Sequence, residues 1–310
     1  MKVTLWHKEV DGPGLYLGIP MTDYRADPCP VPSLNSSVAR LCLERSLAHA
    51  AAAHPRITPV EPDEDDEESS PTRAMDIGSA AHSLAFGIGA RIALIHAKNW
   101  RTKAAQEARK AAWAAGEIPL LPKELRRAEA MAAISRPIID DLLGGSLVAE
   151  AMMVWRDAKG FWFRGLIDRM RADARVVIDY KTTGRIASPE EATRLVYSSG
   201  AYFQEAFYRR GLDALDPAGV GRRRFCFLYQ EQEPPFTACL VELSEAGRSM
   251  ADEEVQAAIN VWQRGLVTGD WPGYPLGPHV ASPPDWMMTR WTRRAETDET
   301  LNPHFELELS

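Results

Sequence analysis

The sequence predicts an α/β fold: a central mixed β-sheet flanked by helices, with a helical N-terminal portion. Three observations predict it. Apolar residues recur at helical spacing through much of residues 33–142, three short runs rich in β-branched, aromatic and Met residues fill 147–181, and helical and strand-like runs alternate from there to about 267. A length of 310 residues suits one large domain, and 45% hydrophobic with 25% charged residues is an ordinary globular composition.

Taken in order, residues 1–32 are rich in Gly and Pro and read as extended, poorly periodic chain. Val38, Leu41 and Cys42 follow a Ser-rich start, and the tendency continues from Ser46 to Ala53, which predicts a short helical pair ending at His54-Pro55. Residues 55–73 carry four prolines, an acidic run and Ser69-Ser70, a composition that cannot bury enough apolar surface to order itself, so a mobile loop is expected. Helices are expected at about 74–97, 99–116 and 122–142, the last opening after Pro122 with a kink near Pro137.

Leu147–Trp155, Phe161–Met170 and Arg175–Lys181 then read as a three-stranded meander, the first two joined by the turn-forming Asp157-Ala-Lys-Gly160. Ser188-Pro-Glu-Glu191 is a helix start with a capping Ser, Pro at the first position and Glu three residues after the cap. That helix or helix pair runs to about Arg210, followed by strands at Arg224–Gln230 and Thr237–Leu243 and a long helix over Ser244–Val267. The expected organisation is a single domain over residues 1–310: an extended segment to 32, the acidic loop at 55–73, a core over 74–270, and a Trp/Pro-rich tail over 271–310.

Composition excludes several classes. Cys29, Cys42, Cys226 and Cys239 lie far apart with no C-x-x-C pair, so neither a zinc knuckle nor an iron–sulfur cluster has its usual spacing. No stretch approaches the roughly 18 apolar residues of a membrane span, and the N-terminus lacks an apolar leader core, so the expectation is a cytoplasmic protein of a bacterial or phage-infected cell. No G-x-x-x-x-G-K-S/T loop is present, so no bound nucleotide is expected.

A net charge of -7 argues against nucleic acid only until its location is considered. Glu61–Glu68 holds seven of the acids, and the remainder balances at 36 acids and 36 bases. Bases cluster at Arg91–Lys110, at Arg222–Arg224, and at Arg290, Arg293 and Arg294. Each is a candidate phosphate contact or a solvated face. Arg101 and Lys103 are the two bases chosen as DNA contacts.

The chemistry concentrates in the meander. Side chains alternate along a strand, so Asp179 and Lys181 share one face of Arg175–Lys181 while Ile178 and Tyr180 share the other. Asp168 ends the apolar run Gly165-Leu-Ile-Asp168 one strand earlier. If the two strands are antiparallel neighbours, Asp168 and Asp179 stand at one height, where two carboxylates repel unless a divalent cation lies between them. Hard oxygen ligands suit Mg²⁺, with Mn²⁺ able to substitute. Two helical stripes flank this pattern: Gly78 and His82 before the sheet, Gln204 and Tyr208 after it, each pair four residues apart and so on one helix face.

Asp168, ten residues, then Asp179-Tyr-Lys181 resembles the PD-(D/E)xK nuclease superfamily, and G-x-x-x-H before it with Q-x-x-x-Y after it are similar to the helical signatures of its RecB-like branch. Pro32-Ser-Leu-Asn-Ser-Ser, Asn99-Trp-Arg-Thr-Lys103 and Pro283-Pro-Asp-Trp286 extend the resemblance to the phage-type exonuclease VIII family, the RecE C-terminal nuclease, over nearly the whole chain.

The resemblance implies a restriction-endonuclease-like core and a Mg²⁺-dependent exodeoxyribonuclease that digests double-stranded DNA ends 5′ to 3′ and leaves 3′ single strands for phage recombination. It implies a homo-oligomeric ring, trimer or tetramer, and a single-strand annealing protein as partner. Metal would be held by Asp168, Asp179, His82 and the backbone carbonyl of Tyr180, with Glu150 as an additional acid. Lys181 would orient or deprotonate the attacking water, and Gln204 and Tyr208 would hold Lys181 or a DNA phosphate. The alternatives are a nuclease of the same fold with other polarity and a catalytically inactive module that binds DNA ends.

Overall fold

The protein is described by a computed structural model covering residues 1–58, 72–144, 147–298 and 301. The acidic run at 61–68, and with it most of the expected loop, lies outside the described residues. Two compact units are distinguished, Met1–Gly273 and Tyr274–Ser310.

The first unit is built on a seven-stranded mixed sheet. In spatial order its strands are β1 (Val3–Leu5), β2 (Gly14–Leu17), β5 (Leu147–Arg156), β6 (Trp162–Arg171), β7 (Val176–Thr183), β8 (Arg224–Glu231) and β9 (Ala238–Val241). The β1–β2 and β7–β8 pairs are parallel and the others antiparallel. The expected meander is β5–β6–β7. Antiparallel strands need only a turn between them, whereas the parallel step from β7 to β8 needs a crossover, supplied by α7 (Pro189–Ser198) and α8 (Ala201–Leu215).

Each face of the sheet buries its own core. Val177, Phe225, Phe227 and Tyr229 point to one side, against Phe203, Phe207 and Leu212 of α8, Val255 and Trp262 of α9 (Glu245–Thr268), and the helical pair α2 (Ser36–Glu44) and α3 (Leu47–Ala52). Ile178, Tyr180, Cys226 and Leu228 point to the other, against Ile77, Ala81 and Phe86 of α4 (Arg73–Phe86) and Met131 and Ile139 of α6 (Pro122–Leu143). α7 begins as read: Ser188 Oγ accepts from the Glu191 N–H at 3.3 Å.

Several local expectations are corrected. The helix expected over 74–97 stops at Phe86, because Gly87 takes a left-handed conformation (φ 70°) and its N–H closes on the Ser83 carbonyl. Ile92–Leu94 beyond it is a strand, β3, paired in parallel with β4 (Ile118–Leu120). The helix expected over 99–116 is α5, Lys103–Ala114, with Thr102 as its cap. The N-terminal 32 residues contribute two sheet strands and a short helix, α1 (Met21–Arg25). α6 runs through Pro137. In the second unit, α10 (Asp285–Thr297) is a helix that the Trp/Pro-rich composition did not suggest.

Candidate active site

The site forms where β6 and β7 meet beneath α4 and α8. The β6–β7 register pairs Arg169 with Ile178 and Met170 with Val177, and its continuation sets Asp168 opposite Asp179. The sheet is irregular at this point. Ile167 and Met170, three apart, both enter the same core, so the in–out alternation of β6 changes phase at Asp168 and Arg169. Across from them on β5, Glu150 has a left-handed φ of 45°, and the pairing resumes on either side at Ala149 with Arg169 and Ala151 with Ile167. Such a conformation costs about 1–3 kcal/mol for a residue with a side chain and is concentrated at functional sites.

The four groups at the centre are held within contact of one another. Lys181 Nζ lies 2.9 Å from Asp179 Oδ2 and donates to Gln204 Oε1 at 3.4 Å. His82 Nε2 lies 3.6 Å from Asp168 Oδ2. Its ring stands edge-on to Phe86 at 4.4 Å and tilted over Tyr180 at 6.1 Å, so two aromatic neighbours set its orientation. The Tyr208 hydroxyl accepts from the Leu166 N–H at 3.3 Å and bonds Gln204. Its ring lies where a side chain on Gly165 would be, 2.7 Å from the position of an added Cβ. Gln204 and Tyr208 thus tie α8 to Lys181 and to β6 respectively.

Electrostatically the two aspartates are driven apart. Burial pushes the Asp179 carboxyl up to about 6, with Lys181 opposing and the Asp168 charge adding to the rise. Burial acts on Asp168 in the same direction, but His82, Lys181 and a hydrogen bond from Asp179 outweigh it and hold Asp168 below its ordinary value. Burial would lower the Lys181 pKa, yet the two aspartates raise it, so Lys181 keeps its proton.

Asp179 Oδ2 is buried and accepts no well-directed hydrogen bond although the Lys181 ammonium is beside it. An under-satisfied carboxylate opposite a second carboxylate fits a hard divalent cation in donor type. Among the described residues, no group of three or more His, Cys, Asp and Glu side chains is placed to hold a metal. Asp168 and Asp179 are therefore the donors in position, with His82 Nε2 beside Asp168. Glu150 and Tyr180 line the adjoining cleft.

That cleft has a volume of about 1040 Å³ and opens between α4 and the β6–β7 edge, lined by Gly78, His82, Glu150, Asp168, Lys181 and Gln232 among others. Gly78 is required by contact: a Cβ there would sit 2.5 Å from Thr182 Oγ1. Gln232, which no motif singled out, explains how that contact is kept. Its Nε2 donates to the Ala74 carbonyl in the first turn of α4 and to Thr182 Oγ1 on β7, each at 2.9 Å, and the Gln232 backbone carbonyl accepts from Arg127 Nη2 of α6 at 2.6 Å. One side chain fixes the His82 helix to the Lys181 strand.

Other singled-out residues have internal partners. Asn35 of the Pro32–Ser37 stretch caps α2, accepting from the Val38 N–H at 2.9 Å. Trp100 Nε1 donates to the Glu124 carboxylate. Arg109 lies over the Trp100 and Trp113 rings and pairs with Asp76 at 2.7 Å. Arg223 is buried against Asp213 and Asp216, and Arg224 pairs with Glu242. Arg109 and Arg223 are thus tied into the fold, and Arg224 into a surface pair. Lys103 is exposed with Glu107 at 3.8 Å; Arg101 is exposed, and neither residue lines the cleft.

No protein with a curated description matches the sequence. Among solved structures, one named as an exonuclease of Eubacterium rectale aligns at 11% identity and a TM-score of 0.47, covering 83% of this chain and 92% of that one. A phage-related exonuclease from Haemophilus somnus aligns at 14% identity and a TM-score of 0.30, covering 61% of this chain and 95% of its own. Likeness of that degree does not fix a shared activity. The family model of the PD-(D/E)XK nuclease superfamily matches residues 46–306, a span that contains the acid pair, Lys181 and both helical stripes, and the chain belongs to that superfamily.

Proposed function

We propose that this nuclease is a Mg²⁺-dependent exodeoxyribonuclease acting on the ends of double-stranded DNA, 5′ to 3′, and releasing 3′ single strands for recombination of the phage type. The observation that carries it is the meeting of Asp168, Lys181 and His82 along one cleft, with Asp179 buried against Lys181. The two flanking stripes support the RecB-like assignment, since Gly78 sets the helix-to-strand distance and Gln204 holds Lys181.

Asp168 and Asp179 would hold the divalent ion, with His82 and the Tyr180 carbonyl completing its shell and Glu150 available from the cleft wall. When bound, the ion supplies Lewis-acid activation of the phosphate and of the attacking water. Lys181 would orient or deprotonate the attacking water and offset negative charge on the phosphate. Gln204 fixes the Lys181 ammonium, and Tyr208 fixes the strand that carries Asp168. A homo-oligomeric ring, trimer or tetramer, would retain the DNA, and a single-strand annealing protein would receive the product.

Digestion of linear duplex labelled at either the 5′ or the 3′ end, with Mg²⁺ and with EDTA, tests the proposal. Release of the 5′ label first, only with the metal, is expected. Release of the 3′ label first reverses the polarity, and an undigested duplex overturns the activity. Light scattering in solution gives the ring size, and a strict monomer removes the ring.

A further inference from the structure

Of the three basic clusters in the sequence, the third carries no ion pair among the described residues. Within the second unit, Arg290, Arg293 and Arg294 of α10 lie on one side of the helix with Trp286 and Thr297, at spacings of three and four residues that bring side chains to one face. They line a groove of about 630 Å³ together with Asp298 and Leu301. The lining carries three guanidinium groups against one carboxylate, in a chain whose net charge is -7. No ion pair to these arginines is found among the described residues, in contrast to Arg109, Arg223 and Arg224. Trp286 is 61% exposed, so its ring is available to a partner.

We infer that this face of α10 binds single-stranded DNA. Local positive charge selects a phosphate backbone, and an exposed indole beside it selects a strand whose bases are unstacked, since a paired base has no face to offer. Arg290, Arg293 and Arg294 contact successive phosphates and Trp286 stacks on a base. The inference rests on the nuclease reading for its source of single strands, and it gives the second unit a task separate from cleavage: it holds the strand that digestion exposes.

The test is equilibrium binding of the intact chain to a labelled oligo-dT and to a blunt duplex of equal length, in EDTA so that nothing is cut, across a salt series. Trp286→Ala should weaken oligo-dT binding about tenfold. Arg290→Gln with Arg293→Gln and Arg294→Gln should weaken it further and lower the salt slope by about 2, the contribution of three phosphates on a single strand. Both variants should cut short duplexes with Mg²⁺ at the unmodified rate. Unchanged oligo-dT affinity and slope overturn the inference, as does equal loss on single strand and duplex. A fall in oligomer mass with DNA binding intact overturns it too, making α10 a contact between copies. A chain that binds oligo-dT through α10 but cuts no DNA refutes the nuclease reading instead.

Discussion

Two ionic clusters in the first unit use nearly the same residue types and end in opposite states. In one, Asp27, Ser33, His54 and Arg164 lie beneath the N-terminal segment. Ser33 Oγ donates to Asp27 Oδ1 at 2.6 Å, the Ser33 N–H donates to Oδ2 at 2.8 Å, Arg164 Nη1 stands 3.1 Å from Oδ1 and His54 Nε2 3.2 Å from Oδ2. The Asp27 and His54 side chains are fully buried, and although burial opposes it, His54, Arg164 and Ser33 hold the Asp27 carboxyl below its ordinary value. In the other, Asp168, Asp179, His82 and Lys181 line or adjoin an open cleft. Asp179 Oδ2 lacks a well-directed bond, and its carboxyl is pushed up to about 6. An Asp, a His and a base make a structural lock when every lone pair is answered. They make a reactive site when one is left over.

The comparison can be broken at either cluster. The largest expected effect is on cleavage: Asp179→Asn and Lys181→Ala should each reduce it by about a thousandfold or more, and Asp179→Asn should leave the thermal midpoint in place or raise it because an unsatisfied buried charge has been removed. A large drop in midpoint for Asp179→Asn would show that the site is a lock as well. Asp27→Ala should do the reverse, costing about 3–5 kcal/mol in urea unfolding because Arg164 is left buried without its partner, while activity per folded molecule is retained.

Gln232→Leu lies between the two. It strips two part-buried acceptors of their donor, a cost of about 1 kcal/mol, and frees α4 from β7, so cleavage should fall about tenfold. In a His82→Ala background the same change should cost little further activity if Gln232 acts by placing His82, and additive losses would show that it does not.

The smallest effect concerns pH. Burial raises the Glu205 carboxyl to about 7, with Arg248 and Arg209 opposing and Asp252 adding. The folded chain therefore binds this proton more tightly than the unfolded one, and stability should fall as pH rises from about 4.5 to about 7. Glu205→Gln should flatten that fall, and an unchanged profile would remove Glu205 as its source.

The reactive cluster was far more legible than the lock. Asp168, Asp179 and Lys181 stand out because charges interrupt apolar strands, and strand periodicity assigns Asp179 and Lys181 a common face. The lock gave no such signal, for Asp27 sits in a Gly/Pro-rich stretch and Arg164 reads as one more charged residue in a strand. Gln232 was equally silent, since its importance lies in reaching Ala74 and Thr182, contacts between residues far apart in sequence. Helix ends were misjudged where one backbone angle decided: apolar spacing runs on past Gly87, but its left-handed φ does not. The phase change at Asp168 was hidden as well, because it depends on Glu150 in the neighbouring strand.

The acid pair and its lysine come from two adjoining strands, only 13 residues from Asp168 to Lys181. Contacts of such short separation close quickly, whereas His82 must be brought in from 86 residues upstream of Asp168, and Gln232 from 51 residues beyond Lys181. The hairpin therefore carries its own countercharge when it forms. Two carboxylates and an ammonium come together in one early event, and the chain need not hold the carboxylates against each other while it waits for its distant helices to dock.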